Sequence, residues 1–324
     1  MFFLNRLLHP FSPRGKLVYL GLEGLQSTNT LIQAALEHEP SLLLRSHLYR
    51  AAQTPTHVEN LKLTCEKFPE YANWLSAEEL KSHVGQGDWL GGVKLENGCQ
   101  VIHVPTYLTG LWKECQVLSK HTAEWLPRSV SNSDWDTCLS HYDAVVLAAG
   151  SGLWMEENSV LGKDFPVELV RGQSVEMHMD TSVSHPNEAV LCGKYVVPRP
   201  GEHKMLIGAT HEYKEIPWDK EEVTQDLRNR SEGLAPEVWE KGVVEGVTCG
   251  IRVQSRRGPQ GRLPIIGSWE DGKALHPNVW LFTGLSSRGL IYHGLFGDIL
   301  SDAIIKGDDK SLLASFPETT WWKK

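Results

Sequence analysis

The segment Val279-Trp280-Leu281-Phe282-Thr283-Gly284-Leu285-Ser286-Ser287-Arg288-Gly289-Leu290 constrains the fold of this chain more than any other. Its first five residues are β-branched, aromatic or leucine, the composition of a strand. Gly284 breaks that run, and beyond Gly289 the apolar residues Leu295, Ile299, Leu300, Ala303 and Ile304 recur at helical spacing. A buried strand that stops at glycine and restarts as a helix gathers backbone N–H groups and the positive end of a helix dipole at one point. Such a turn suits an anion or the polar edge of a ring. A second glycine-bearing segment precedes it: Gly250-Ile251-Arg252, a basic loop through Gly261, then Arg262-Leu263-Pro264-Ile265-Ile266-Gly267.

A chain of 324 residues can bury a large core, enough for two domains or one large α/β unit. Its formal net charge of −8 argues against a general polyanion binder, so any nucleic-acid contact would have to be a local patch. The six cysteines stand singly, without a C-x-x-C pair, which argues against a zinc site and fits a reducing compartment. No window approaches the roughly 18 apolar residues of a membrane span. The start, Met1 to Leu8, is interrupted by Asn5 and Arg6 and followed by Pro10 and Pro13, unlike a signal peptide. The expected setting is therefore cytoplasmic, or an organelle if a longer form carries a transit peptide.

Periodicity predicts a helix after Gly15 with Leu22, Leu25, Ile32 and Leu36 on its apolar face. Residues 39–80 keep a helical pattern, broken at Pro55 and Pro69. Val93–Leu95 and Cys99–Ile102, joined by Asn97-Gly98, carry the local signature of a hairpin. A helix follows from Thr106 to about Leu118. The run Ala144-Val145-Val146-Leu147-Ala148-Ala149-Gly150 predicts a strand buried on both faces of a parallel sheet. Strand-like stretches at 167–179, 190–198 and 204–210, the last two joined by Arg199-Pro200-Gly201-Glu202, predict an antiparallel sheet. Asp219 and Glu222 have capping-box spacing at the start of another helix.

Among candidate sites, Gly85-Gln86-Gly87-Asp88-Trp89-Leu90-Gly91 has the wrong spacing for a dinucleotide fingerprint and precedes a strand, so it reads as a loop. Arg252 and Arg288 each lie near a glycine beside an apolar strand, and arginine suits bidentate capture of a carboxylate. A structural salt bridge is the other reading of each. Arg256, Arg257 and Arg262 read as a solvated basic loop, with phosphate contact to a large anionic substrate as the alternative. His9 and His293 are the histidines nearest the candidate turn, and neither has a partner at metal-ligand spacing.

Four stretches together resemble the FAD-dependent amine and amino-acid oxidases, the family of D-amino acid oxidase, glycine oxidase, sarcosine oxidase and the oxidase domain of a tRNA wobble-uridine enzyme. They are Leu7 to Gly15, Ala144 to Gly150, Gly250-Ile251-Arg252 with Leu263 to Gly267, and Thr283 to Leu290, the last closest to the tRNA-modifying branch. The resemblance implies an α/β fold, α+β overall: a Rossmann-like FAD-binding domain from 1–38, 101–160 and 250–324, interleaved with an antiparallel-sheet substrate domain from 39–100 and 161–249. It implies cofactor contacts from His9, Pro10, Ala149, Gly150, Gly284, Leu285, Ser286, Ser287, Gly289 and Leu290. Arg252 would anchor a substrate carboxylate, with Arg288 beside it. The implied reaction oxidises the C–N bond of a small amino acid or secondary amine, with hydride passing to the flavin and oxygen as acceptor.

The family opens with a strand, a G-x-G-x-x-G turn, a helix and a strand ending in an acid, and this sequence enters the family pattern only at Leu7. The flavin-binding domain is therefore expected to be truncated, and the chain expressed alone to purify nearly colourless. Two alternatives accompany the oxidase reading: oxidation of a modified tRNA nucleoside side chain, and a catalytically inactive truncated form.

Overall fold

In the computed structural model, residues 5–128, 130, 134–154, 161, 165–180, 188–199, 203–213, 216–269, 278–319 and 321–323 are described. The chain divides into two units, Met1–His121 with Arg171–Gly250, and Thr122–Val170 with Ile251–Lys324. The class is mixed α/β with several sheets.

Most of an eight-stranded sheet lies in the first unit, in the order Gly242–Ser255, Val167–Met179, Lys204–Gly208, Lys194–Pro198, Val190–Cys192, Leu48–Ala51, Gly92–Leu95, Ala72–Leu75; residues 251–255 and 167–170 at the ends of its first two strands are counted with the second unit. The stretches expected at 167–179, 190–198 and 204–210 form antiparallel neighbours, with Tyr195 opposite Gly208 and Gly208 opposite Ser174. Val175, Met177, Val196, Met205 and Ile207 fall on one face by strand alternation. There they meet Val223, Leu227, Val238 and Trp239 from the helices Lys220–Ser231 and Pro236–Lys241. The first of these helices has the expected box: the Asp219 carboxylate accepts from the N–H groups of Glu221 and Glu222, and Glu222 accepts from Asp219 N–H. The turn residues Pro200 to Glu202 lie outside the described residues, although Arg199 N–H reaches Lys204 O at 2.9 Å across it.

A smaller sheet of the same unit orders Asn5–Leu8, Gln100–His103 and Leu43–Arg45. The helices Gly21–Leu36 and Val104–Leu118 pack on each other. Gly110 permits their approach, since a Cβ there would sit 2.7 Å from Ala35 O. Leu25 and Ile32 are buried as expected, whereas Leu22 and Leu36 are half-buried.

Two expectations for this unit are corrected. The helical pattern over 39–80 contains three short strands, Leu43–Arg45, Leu48–Ala51 and Ala72–Leu75. Pro55 opens the helix Pro55–Lys67 rather than breaking one, because a first-turn residue needs no N–H partner. The Asn97-Gly98 turn exists, with φ +53° and +93°. Its flanking strands do not pair with each other: Gly92–Leu95 lies between Leu48–Ala51 and Ala72–Leu75, and Gln100–His103 lies between Asn5–Leu8 and Leu43–Arg45.

The second unit holds a three-stranded sheet in the order Ile265–Ser268, Val279–Thr283, Val145–Leu147, with the last pair parallel. Its core includes Leu147, Leu153, Leu161, Ile265, Val279 and Leu281. Val145–Leu147 is not buried on both faces as expected; it is an edge strand, and Val146 is 43% exposed. The division groups residues 1–38 and 101–121 with the antiparallel sheet, and 161–170 with the glycine-bearing turn. The first grouping follows from Asn5–Leu8 pairing with Gln100–His103, and from the helix packing just described.

Candidate functional site

The parallel pair sets the geometry of the second unit's candidate site. Val279, Trp280 and Leu281 stand opposite Val145, Val146 and Leu147, so both strands end at the same side of the sheet. In open α/β sheets, ligands bind beyond the carboxyl ends of parallel strands. Ala148 to Gly150 leave from one strand and Gly284 to Ser286 from the other. Gly284 has φ +68° and Ser286 has φ +56°, two left-handed residues within three positions. This is where glycine freedom is used: a Cβ on Gly284 would also press on Ile265 at 3.1 Å.

The turn is pinned from behind. Ser286 N–H donates to Val253 O at 3.1 Å, Arg288 N–H to Leu285 O at 3.0 Å, and Ser286 Oγ to Gly284 O at 3.2 Å. Gln254 and Leu285 form an antiparallel bridge. The N–H groups of Ser287 and Gly289 enter no backbone bond among the described residues. The helix Gly289–Lys306 starts there, so its N-terminal dipole adds to these donors. In front, the surface is open: a Cβ on Gly150 or on Gly289 would meet nothing within 4 Å. Ala149 is exposed.

Arg252 lies two residues before Gln254 on the strand that pins the turn, and is half-buried. Arg288 stands immediately before the helix, half-buried, with Nη1 3.5 Å from Tyr292 Oη. It makes no ion pair with any described residue, so the salt-bridge reading of Arg288 finds no partner among them. Burial pushes the Tyr292 phenol above its ordinary pKa, and the neighbouring Arg288 charge works in the opposite direction. His293 directs Nδ1 to the carbonyls of Gly289 and Leu290, each at 3.1 Å. Burial holds its imidazole below the usual pKa, with those carbonyls opposing the shift in part.

The basic loop folds into a small ribbon in which Arg257 faces Arg262. Arg262 is neutralised by Glu168 at 3.0 Å and donates to Ser255 O, while Arg256 and Arg257 are exposed. A cavity of about 580 Å³ is lined by Arg256, Arg257, Leu263, Pro317, Glu318 and Trp321, among others, and by none of the predicted contact residues.

His9 and Pro10 belong to the first unit. His9 Nδ1 accepts from Phe11 N–H at 3.3 Å, and Pro10 O accepts from Val18 N–H at 2.9 Å. Their loop is gripped by Arg50, whose Nη1 donates to Ser12 O at 2.7 Å and whose Nη2 donates to Pro13 O. Sequence reasoning missed Arg50. Its signal was available as a lone charge inside the apolar run Leu48-Tyr49-Arg50-Ala51-Ala52. The structure thus places Arg252, Arg288, Ala149, Gly150 and Gly284 to Leu290 in one unit, and His9 and Pro10 in the other.

Comparison with known proteins agrees with this architecture. The family profile of FAD dependent oxidoreductases, DAO, matches residues 5–303. The bifunctional protein MnmC of tRNA 5-methylaminomethyl-2-thiouridine biosynthesis from Thiobacillus denitrificans is 27% identical over 273 residues. That match takes in 80% of this chain but 42% of the relative, so the chain spans about two fifths of the length of that protein. Glycine oxidase from Geobacillus kaustophilus shares the fold at a TM-score of 0.66, with 19% identity over 90% of this chain and 80% of the other. Iminodiacetate oxidase from Chelativorans sp. BNC1 shares it at 0.65, with 16% identity over 93% and 84%. With the profile spanning nearly the whole chain and the strand–turn–helix carrying its glycines, the protein belongs to the DAO family of FAD-dependent oxidoreductases.

Proposed function

We propose that this protein oxidises the C–N bond of a small amino acid or secondary amine. The observation that carries the reading is the contact between two segments of the second unit: Ser286 N–H bonds Val253 O, which sets Arg252 beside the Gly284–Leu290 turn. The space over Gly150 and Gly289 is open, and the flat ring is assigned to it. Gly150 and Gly284 to Leu290 would hold the flavin from this unit. Bound there, FAD would supply the hydride acceptor for oxidation of the C–N bond to an imine, which water hydrolyses, with oxygen as the proposed final electron acceptor.

The chain's own residues bind and orient. Arg252 takes the substrate carboxylate in its planar fork, which fixes the C–H to be cleaved. Arg288 adds positive charge at the mouth of the turn. The amides of Ser287 and Gly289, with the helix behind them, supply fixed donors toward an electron-rich ring edge. All six cysteines are thiols, which supports a reducing, cytoplasmic setting.

A second reading, oxidation of a modified tRNA nucleoside side chain, is favoured by the relationship to MnmC and by the exposed Arg256 and Arg257. Turnover assays separate the two: the first expects oxidation of free amino acids or secondary amines, the second only of RNA-borne groups. Visible flavin absorbance per mole of protein tests the inactive alternative at the same time. In the flavin-loaded enzyme, Arg252→Lys should raise KM for a carboxylate substrate about 10- to 100-fold, because an ammonium cannot replace the fork. Unchanged kinetics would remove Arg252 from the site.

A further inference from the structure

The cavity of the second unit shares no residue with the glycine turn. It lies between the ribbon of Arg257–Gly258 and Gly261–Arg262 and the residues Pro317, Glu318 and Trp321, all within Ile251–Lys324. Its volume of about 580 Å³ is that of a small-ligand pocket. The lining combines two chemistries. Leu263, Pro317 and Trp321 supply apolar surface. Arg256 and Arg257 supply charge; both are exposed, and neither has an ion pair or hydrogen bond among the described residues.

The ribbon carries positive charge that its described surroundings do not neutralise. Arg257 stands directly opposite Arg262, and like charges across a strand pair are unfavourable. Glu168 offsets Arg262 at 3.0 Å, whereas nothing among the described residues offsets Arg256 or Arg257. A third guanidinium without an ion pair is close, since a Cβ on Gly261 would stand 3.5 Å from Arg288 Nη1. Against these three cations the cavity lining offers one carboxylate, Glu318. A chain of net charge −8 thus keeps a positive patch beside a cavity, which draws and holds an anion. The aromatic wall is fixed on both sides of Trp321. Thr319 is fully buried and donates Oγ1 to Phe316 O at 2.8 Å. Trp322 donates Nε1 to Ile266 O at 3.3 Å and packs on Phe165, with ring centroids 5.7 Å apart. Lys323 donates to Ser268 Oγ at 2.8 Å and pairs with Asp309. Trp321 therefore brings a preordered aromatic surface to the cavity.

We propose that this cavity is a nucleotide site, in which Arg256 and Arg257 hold a phosphate and Trp321 stacks against the base. A phosphate dianion suits two consecutive arginines better than a carboxylate does, because it has oxygens enough for both forks. The base supplies the flat ring that an aromatic and apolar wall accommodates. The site is independent of the flavin assignment, because no residue of the Gly284–Leu290 turn lines it. A free nucleotide and a nucleotide within an RNA strand share this chemistry, and the test separates them.

The test uses the full chain as wild type, as the double variant Arg256→Gln/Arg257→Gln, and as Trp321→Leu. Calorimetric titrations with the four ribonucleoside 5′-monophosphates, with inorganic phosphate and with an RNA decamer containing all four bases are run at two salt concentrations. Wild type should bind a monophosphate or the decamer about tenfold or more tighter than inorganic phosphate. The double variant should weaken that binding about tenfold or more and flatten its salt dependence. Trp321→Leu should weaken it by a similar factor and keep the salt dependence. Tighter binding of the decamer than of any monophosphate assigns the site to an RNA strand, and the reverse assigns it to a free nucleotide. Inorganic phosphate bound as tightly as the nucleotides overturns the stacking role of Trp321 and with it the nucleotide site. Absence of binding by both nucleotide probes overturns the proposal, as does wild-type affinity in the double variant, which would place the ligand elsewhere on the chain. Arg256 and Arg257 hold no other described residue, so the double variant decides the matter even if Trp321→Leu fails to fold.

Discussion

Two glycine-bearing turns illustrate opposite uses of the same residue. Gly98 follows Asn97 in a tight turn closed by Cys99 N–H to Glu96 O at 3.3 Å. That turn is packed shut: Asn29 Nδ2 donates to Gly98 O at 3.3 Å, and its Oδ1 accepts from the Gln100 side chain. Gly289 instead opens a helix and faces nothing within 4 Å. The first glycine is demanded by backbone and neighbours, so it serves folding. At the second, no backbone strain or packing excludes alanine, so any penalty for a side chain there would come from a ligand and not from the fold.

Substitution should separate the two. Gly98→Ala forces a side chain to φ +93° and displaces Asn29 from two hydrogen bonds, at a cost of about 2 kcal/mol in chemical denaturation. FAD affinity of the folded fraction should stay within experimental error. Gly289→Ala should do the reverse. Stability should stay within about 0.5 kcal/mol of wild type, or improve, since alanine is the better helix former. Flavin content should fall, because the methyl group occupies the face assigned to the ring. A Gly289→Ala protein with full flavin content would mean that the open face is not a ligand cradle, and the contrast between the turns would collapse.

The same pair shows how far sequence reaches. Asn97-Gly98 and Gly284–Gly289 were both legible, because left-handed backbone positions and strand-to-helix changes are local properties of a few residues. The partners of Gly92–Leu95 and Gln100–His103 were not legible, because pairing is decided by residues such as Leu48, Ala72 and Leu7 that are distant in sequence. Short strands within 39–80 escaped for a related reason. Four residues such as Leu48–Ala51 carry no periodicity of their own, and burial on both faces removes the alternation that marks a strand. In the candidate site, Arg252 and the turn could be named from their glycine and apolar surroundings. Arg50 could not be given a role, since its partners are two backbone carbonyls, which no sequence pattern announces.

The smallest expected effect is a pH dependence that again distinguishes the turns. Each is followed by a histidine whose imidazole is held below its ordinary pKa: His103 by burial and then by the Arg199 charge, His293 by burial. In the unfolded chain both protonate near 6.5, whereas in the folded chain they resist the proton until lower pH. Between those limits the unfolded state binds more protons, so stability is full above about 6.5 and declines as pH falls toward the folded values. Urea unfolding between about pH 5 and 7.5 should show this slope, and His103→Gln and His293→Gln should each flatten part of it. FAD should discriminate between them. Bound at the open turn, it should alter the portion removed by His293→Gln, whose ring is bonded to the Gly289 and Leu290 carbonyls, and leave the His103 portion in place. If FAD moved the His103 portion and left that of His293 unchanged, the assignment of the open turn to the cofactor would be wrong.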